Sequence, residues 1–292
     1  MCLFRLAHAP RAMTPSSIEP PLLIDSHVHV WASDPAYPFA AGAQVPPDVD
    51  ASAERLIRMM DAHGIARTVL IQVIHYRWDN RYLADVLKRH PGRFHGVARV
   101  NPADPAAPDH VDALTEQGFR GVRISPFADA GSDWIGGPLM APLWARCEAL
   151  KVPMTVLTVP SRLPQIAALI DRHPDLDVVI DHMADTPPER ADQIRALLAL
   201  ARFPNVYVKI SHLWSLSKQA FPYADAFALL KQVYDAFGPT RLMWGTDHPV
   251  CLPHLSYSQA IALYRDHLGF MPLEDRREIW HRTVQRIWPF GL

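Results

Sequence analysis

The stretch LIDSHVHVW, Leu23 to Trp31, carries His27 and His29 two positions apart near the end of an apolar run. Along a strand, that spacing places both imidazoles on one face and Ser26, Val28 and Val30 on the other. Two more polar residues close similar runs far along the chain, His182 in VVIDHM and Asp247 in LMWGTDHP. Three imidazoles and a carboxylate form a donor set suited to one Zn2+ or Mn2+. Without a metal, the same groups suit acid–base work, with Asp247 taking a proton from water and protonated His27, His29 or His182 polarising a carbonyl. Taken singly, each residue has a structural explanation; GTDHP, for instance, reads as a capped turn. Their shared position at the ends of runs favours chemistry, because buried imidazoles and carboxylates are costly unless they pair or bind something.

Residues so far apart can meet only if the intervening elements bring the run ends together. Eight short β-rich runs recur: Leu22–Val30, Thr68–Ile74, Phe94–Val100, Phe119–Ser125, Met154–Val159, Asp177–Met183, Val206–Ser211 and Leu242–Asp247. Most are too continuously apolar to leave one face wet. Segments of helical spacing separate them, such as ASAERLIRMMDAHG, where Leu56, Ile57, Met60 and His63 form a stripe and Gly64 ends it. Buried runs alternating with amphipathic helices are the pattern of parallel strands joined by right-handed crossovers. Eight such units, with no glycine-rich phosphate turn after the first run, point to an α/β fold, a distorted, single-domain (β/α)8 TIM barrel. Catalytic groups of such barrels gather at the carboxyl ends of the strands, and closure makes the first and eighth strands neighbours. Asp247 is therefore expected beside His27 and His29, with His182 facing them.

The remaining composition narrows the function. A net charge of −1, with 49% apolar and 20% charged residues, provides no broad field for nucleic acid or an anionic membrane. No segment approaches the roughly 20 apolar residues of a membrane helix. Cys2, Cys147 and Cys251 match no disulfide or zinc spacing, so reduced thiols in a cytoplasmic protein are expected. Residues 1–21 are expected to form a disordered tail, with Met13 an alternative start, and residues 22–292 the barrel. Homo-oligomerisation is left open; the expected partner is a small-molecule substrate.

IDSHVHVW, DLDVVIDHM, NVYVKIS and LMWGTDHP together resemble the motifs of the amidohydrolase superfamily, in the branch of pyrone-dicarboxylate and sugar-acid lactonases and several decarboxylases. The resemblance runs from about Leu22 to the C-terminus. It implies a (β/α)8 barrel whose active centre is His27, His29, His182 and Asp247, binding one divalent metal or, as in some lactonases of the branch, working without one. The fifth run departs from the pattern, offering Thr155 and Thr158 where many members place a metal-binding histidine. With no bridging lysine in view, this argues against two metals. KISHLW carries His212 where such lactonases usually have glycine.

Around this centre, Arg123 in GVRISP is expected to clamp a substrate carboxylate. Trp31, His75 and Tyr76, just past the first and second runs, are further substrate contacts. Lys209 and Ser211 share one face of the seventh run, and their match to the motif turns that face inward. The expected activity is hydrolysis of a small carboxylated or sugar-derived lactone. The alternative is a metal-dependent decarboxylase of a small unsaturated or aromatic acid, with His212 as its additional histidine.

Overall fold

The computed structural model describes residues 22–291 except 44, 45, 47 and 127–131, so the expected N-terminal tail lies outside the described residues. Strands β1 (Leu23–Val28), β2 (Ile65–Ile71), β3 (Phe94–Arg99), β4 (Val122–Ile124), β5 (Met154–Val156), β6 (Val178–Ile180), β7 (Val206–Lys209) and β8 (Leu242–Met243) form one parallel sheet in sequence order. Helices α1 (Ala53–His63), α2 (Arg81–Arg89), α3 (Ala107–Glu116), α4 (Met140–Leu150), α5 (Leu163–Arg172) and α6 (Ala191–Leu198) alternate with the first seven strands. The short α7 (Leu213–Leu216) and α8 (Phe227–Phe237) lead to β8, and α9 (Tyr257–Asp266), α10 (Leu273–Arg277) and α11 (Thr283–Ile287) complete the chain. This is the expected single-domain (β/α)8 barrel. Helix α1 shows how local sequence sets its limits: the Ser52 side chain accepts from the Arg55 N–H at the start, and Gly64 takes a left-handed φ of 70° at the end.

The barrel closes between β1 and the segment running from β8. Ser26 N–H donates to the Trp244 carbonyl at 3.2 Å, Asp247 N–H to the His27 carbonyl at 2.9 Å, and His29 N–H to the His248 carbonyl at 2.8 Å. The buried Asp25 carboxylate fastens the same seam, accepting from Thr246 N–H (3.0 Å), Thr246 Oγ1 (2.6 Å) and His27 N–H (3.1 Å). Gly245 lets the two segments touch, since a Cβ there would lie 2.7 Å from the Cβ of His27.

Strand alternation divides the core in two. Leu23, Val28, Val122, Val156, Val178 and Val208 face outward into the layer shared with the helices. Ile24, Val69, Ile71, Val97, Val179 and Met243 face inward and pack on Val284, Ile287 and Trp288, which plug the lower end. Strand β1 obeys this alternation only because it is interrupted. Asp25 pairs with Thr68 and Val28 with Leu70, so β1 spends one more residue than β2 over this span. The bulge resets the phase. Ile24 points into the barrel below it, and His27 and His29 point into the same interior above it.

Candidate active site

Above the apolar plug, the strand ends bring His27, His29 and Asp247 together. His27 Nε2 lies 3.3 Å from His29 Nε2 and 3.6 Å from Asp247 Oδ1, and His29 Nε2 lies 3.4 Å from the same oxygen. The other nitrogen of each ring is engaged elsewhere. His29 Nδ1 meets the Ile71 carbonyl at 2.8 Å, and His27 Nδ1 sits 3.3 Å from Asp181 Oδ1 and 3.1 Å from Lys209 Nζ. All three cluster residues are buried.

His182 joins them through an irregular backbone. Strand β6 ends at Ile180, and His182, Met183, Ala184 and Asp185 then follow with φ between 46° and 54°, a left-handed turn that non-glycine residues rarely adopt. The turn places the His182 ring 4.5 Å from that of His27, with its Nδ1 2.8 Å from Ser211 Oγ. His212 (φ 71°) and Asp247 (φ 57°) are left-handed as well. The His212 ring lies 4.4 Å from His182; its Nδ1 is 3.1 Å from Asp185 Oδ1 and its Nε2 3.7 Å from Asp247 Oδ2. Strain of about 1–3 kcal/mol at such residues is typical of sites where the surroundings over-determine the geometry.

Beneath the imidazoles runs a buried ionic row. Asp181 Oδ2 accepts from Arg123 Nε at 2.9 Å, and its Oδ1 stands 3.1 Å from Lys209 Nζ. The ammonium in turn lies 5.4 Å from the centre of the Trp288 ring, linking the site to the plug. Arg99, on the neighbouring strand, donates to Ser125 Oγ at 2.6 Å.

Burial and neighbouring charge set the protonation of these groups. Burial pushes His27 down to about 3, with the Lys209 ammonium adding to it and Asp181 opposing. It also holds His182 well below the usual histidine range, reinforced by His212 and His27. Burial alone would raise Asp247, but the hydrogen bond from His29 and the imidazoles of His182, His212 and His27 hold it well below the carboxylate range. Asp181 behaves likewise through Lys209, His27 and Arg123, against its own desolvation. His212 moves upward despite burial, because Asp185 and Asp247 stabilise its charged form. Asp25, walled off from solvent in the seam, is pushed up to about 7 despite its hydrogen bonds.

The structure thus gathers His27, His29, His182 and Asp247, and turns Lys209 and Ser211 inward. Lys209 is fully buried against Asp181, and Arg123 is anchored to the same carboxylate. Trp31, His75 and Tyr76 form a separate packed group: Trp31 meets the His75 ring edge-on at 5.7 Å, and the Tyr76 hydroxyl bonds both the N–H and the carbonyl of Ala32. Sequence reasoning gave no role to Asp181, which braces His27, nor to Asp185, which braces His212. The DH dipeptide was the only signal for Asp181. His248, the residue after Asp247, packs edge-on against Tyr257 of α9.

The donor set fits a divalent ion. Bonds of about 2.0–2.2 Å in tetrahedral geometry separate donors by about 3.3–3.6 Å, and the three contacts among His27 Nε2, His29 Nε2 and Asp247 Oδ1 span that range. An outer partner on the second ring nitrogen is also the usual arrangement of metal-binding histidines. Donor atoms of His182, His212 and Asp247, and of His27, Asp181 and His182, likewise gather within 4.8 Å of one another.

Comparisons with known proteins identify the family. A family model described as Amidohydrolase matches residues 24–290. The chain is 32% identical over 243 residues to an L-fucono-1,5-lactonase of Burkholderia ambifaria, covering 78% of this chain and 80% of that one. It is 25% identical to a 2-pyrone-4,6-dicarboxylate hydrolase of Comamonas testosteroni, over 91% and 90% of the two chains. A solved amidohydrolase structure from Burkholderia multivorans with bound zinc superposes with a TM-score of 0.77 at 25% identity, covering 93% of this chain and 99% of that one. No helix among the described residues is long and apolar enough to cross a membrane.

Proposed function

The chain belongs to the amidohydrolase family and is a hydrolase, and from that premise we propose that it opens a small carboxylated or sugar-derived lactone by Asp247-assisted attack of water. The observation that carries this reading is the placement of Asp247: an ionised, acceptor-only carboxylate held by a left-handed turn against His27 and His29 at tetrahedral donor spacing. The lactonase and lactone-hydrolase relatives support an ester ring as the substrate.

Asp247 takes a proton from the water whose oxygen bonds to the lactone carbonyl carbon. It returns that proton to the ring oxygen as the C–O bond breaks, leaving a hydroxy acid. A divalent ion, Zn2+ or Mn2+, held by His27, His29 and Asp247 with His182 adjoining, would supply Lewis-acid polarisation of the carbonyl. The metal-free version needs charged imidazoles, and burial works against charging His27 and His182. Asp181 and the Ile71 carbonyl orient the two rings of the first-strand pair. Arg123, its guanidinium fixed by Asp181, is the arm for a substrate carboxylate, and Lys209 holds Asp181 ionised beneath it. Trp31, His75 and Tyr76 shape the neighbouring wall, and Ser211 fixes the His182 ring.

A second reading, metal-dependent decarboxylation, is favoured by one observation: His212, paired with Asp185, presents a proton donor beside Asp247. The deciding experiment follows acid release from a panel of sugar-acid and unsaturated carboxylated lactones, and CO2 release from aromatic acids, before and after chelation. Lactone opening at enzymatic rates is expected. CO2 release with every lactone inert would replace the hydrolase mechanism with the decarboxylase.

A further inference from the structure

In the helical layer outside the barrel, His63 is hydrogen-bonded to a nucleophile that the lactone chemistry does not use. It closes the apolar stripe of α1 as the last residue of that helix, and its ring reaches the first turn of α9. Nδ1 lies 2.8 Å from the Met59 carbonyl, and Nε2 lies 2.7 Å from Ser258 Oγ, 195 positions further along the chain. Ser258 is exposed, so small molecules in solvent can reach its hydroxyl.

These two contacts fix the tautomer of the neutral ring. A carbonyl only accepts, so the proton sits on Nδ1 and Nε2 carries the lone pair. The Ser258 hydroxyl is then the donor, its proton aimed at a base. The buried Tyr257 packs edge-on against the His63 ring at 5.3 Å and against His248 at 5.1 Å, which holds the imidazole in place and keeps it apart from the barrel cluster. A nucleophile within hydrogen-bond reach of a base, the base oriented in turn by a third group, is the arrangement of covalent catalysis. The N–H of Ser258 itself has no acceptor among the described residues and adjoins the hydroxyl, where it can donate to an oxyanion. The Ser258–His63 pair, not the helix start, makes the hydroxyl reactive.

We propose that Ser258 and His63 form a second reactive site, at which the serine takes the acyl group of a small activated ester. Ser258 Oγ bonds to the carbonyl carbon while its proton passes to His63 Nε2. The bond from that carbon to the leaving oxygen breaks, and the leaving oxygen takes the proton, giving an alcohol or phenol and an acylated Ser258. Water then attacks the acyl-serine, with Nε2 again taking and returning the proton, and the free serine is restored. Neither Asp247 nor a metal ion enters these steps. Nδ1 faces a carbonyl and not a carboxylate, so the imidazolium formed on the way is less stabilised than in a triad. Esters with a good leaving group, such as aryl esters, are therefore its substrate class.

The test is incubation of the full chain with p-nitrophenyl acetate, quenched in acid at early times and followed by mass spectrometry of its proteolytic peptides. An acetyl group on the peptide holding Ser258 is expected, and it should be absent in Ser258→Ala, an exposed substitution that leaves the fold intact. His63→Gln keeps the serine and should slow formation of that adduct by about 10²-fold or more. Nitrogen-15 NMR of the wild-type imidazoles tests the base without replacing it: the His63 ring is expected as the Nδ1–H tautomer, with its Nε2 resonance shifted in Ser258→Ala. Acetylation confined to lysines and the amino terminus, acetylation of Ser258 at an equal rate in His63→Gln, or an Nε2–H tautomer would each overturn the inference.

Discussion

Within one barrel, the same strands build two interiors of opposite character. Below, Ile24, Val69, Val97, Val179 and Met243 pack on Val284 and Trp288. Above, the strands run on into His27, Asp181, Lys209 and Asp247, all buried and all ionisable, with the backbone left-handed at His182–Asp185, His212 and Asp247. The lower half gains stability from apolar burial. The upper half places strained backbone and desolvated charge where a substrate would react, and the lower half offsets that cost.

The comparison can be broken by substitutions on either side of the boundary. Asp247→Asn should lower kcat for lactone opening by about 10²–10⁴-fold with an unchanged far-ultraviolet circular dichroism spectrum, since an amide cannot take the proton. Turnover within a few-fold of wild type would remove Asp247 from the chemistry. Ile24→Ala, on the same strand as His27 but beneath the bulge, should cost about 2–5 kcal/mol in denaturant unfolding while kcat of the folded enzyme is retained. A loss of kcat in step with stability would show that the two halves are not separable. Gly245→Ala forces β8 away from His27 and should cost about 10²-fold in kcat/KM through misplacement of the imidazole pair; a crystal structure of the variant with the seam undisturbed would contradict that explanation. Ile287→Val, in the plug, sets the smallest step, about 0.5–1.5 kcal/mol in thermal unfolding and no change in the kinetics.

Much of this arrangement was legible before any coordinates. Each of the eight runs falls on one of the eight strands, β2 alone beginning before its run, at Ile65, because most are apolar on both faces, as a strand between interior and helices must be. The meeting of His27, His29 and Asp247 followed from barrel closure, which makes the first and last strands neighbours. What alternation could not supply was the direction of residues where alternation stops. Asp181 and His182 are consecutive, so regular strand geometry sends them to opposite faces. Both enter the cluster because the chain turns left-handed immediately after β6. Ile24 and His27 share the interior only because the β1 bulge shifts the phase between them. Tyr76, named as a substrate contact, has its hydroxyl engaged by the backbone of Ala32, a partnership set by the path of a loop.

The order of apolar runs and helical stripes determined the barrel, and the barrel determined which run ends share a rim. Only the tertiary structure decided which of the rim's side chains face one another and which brace them from behind: Asp181 and Lys209 beneath His27, Asp185 behind His212, and the two oxygens of Asp247 turned to different histidines. The physical reason is that periodicity encodes the repeated conformation of a strand or helix, whereas bulges and left-handed turns are single-residue departures that persist when packing and hydrogen bonds from distant segments offset their strain.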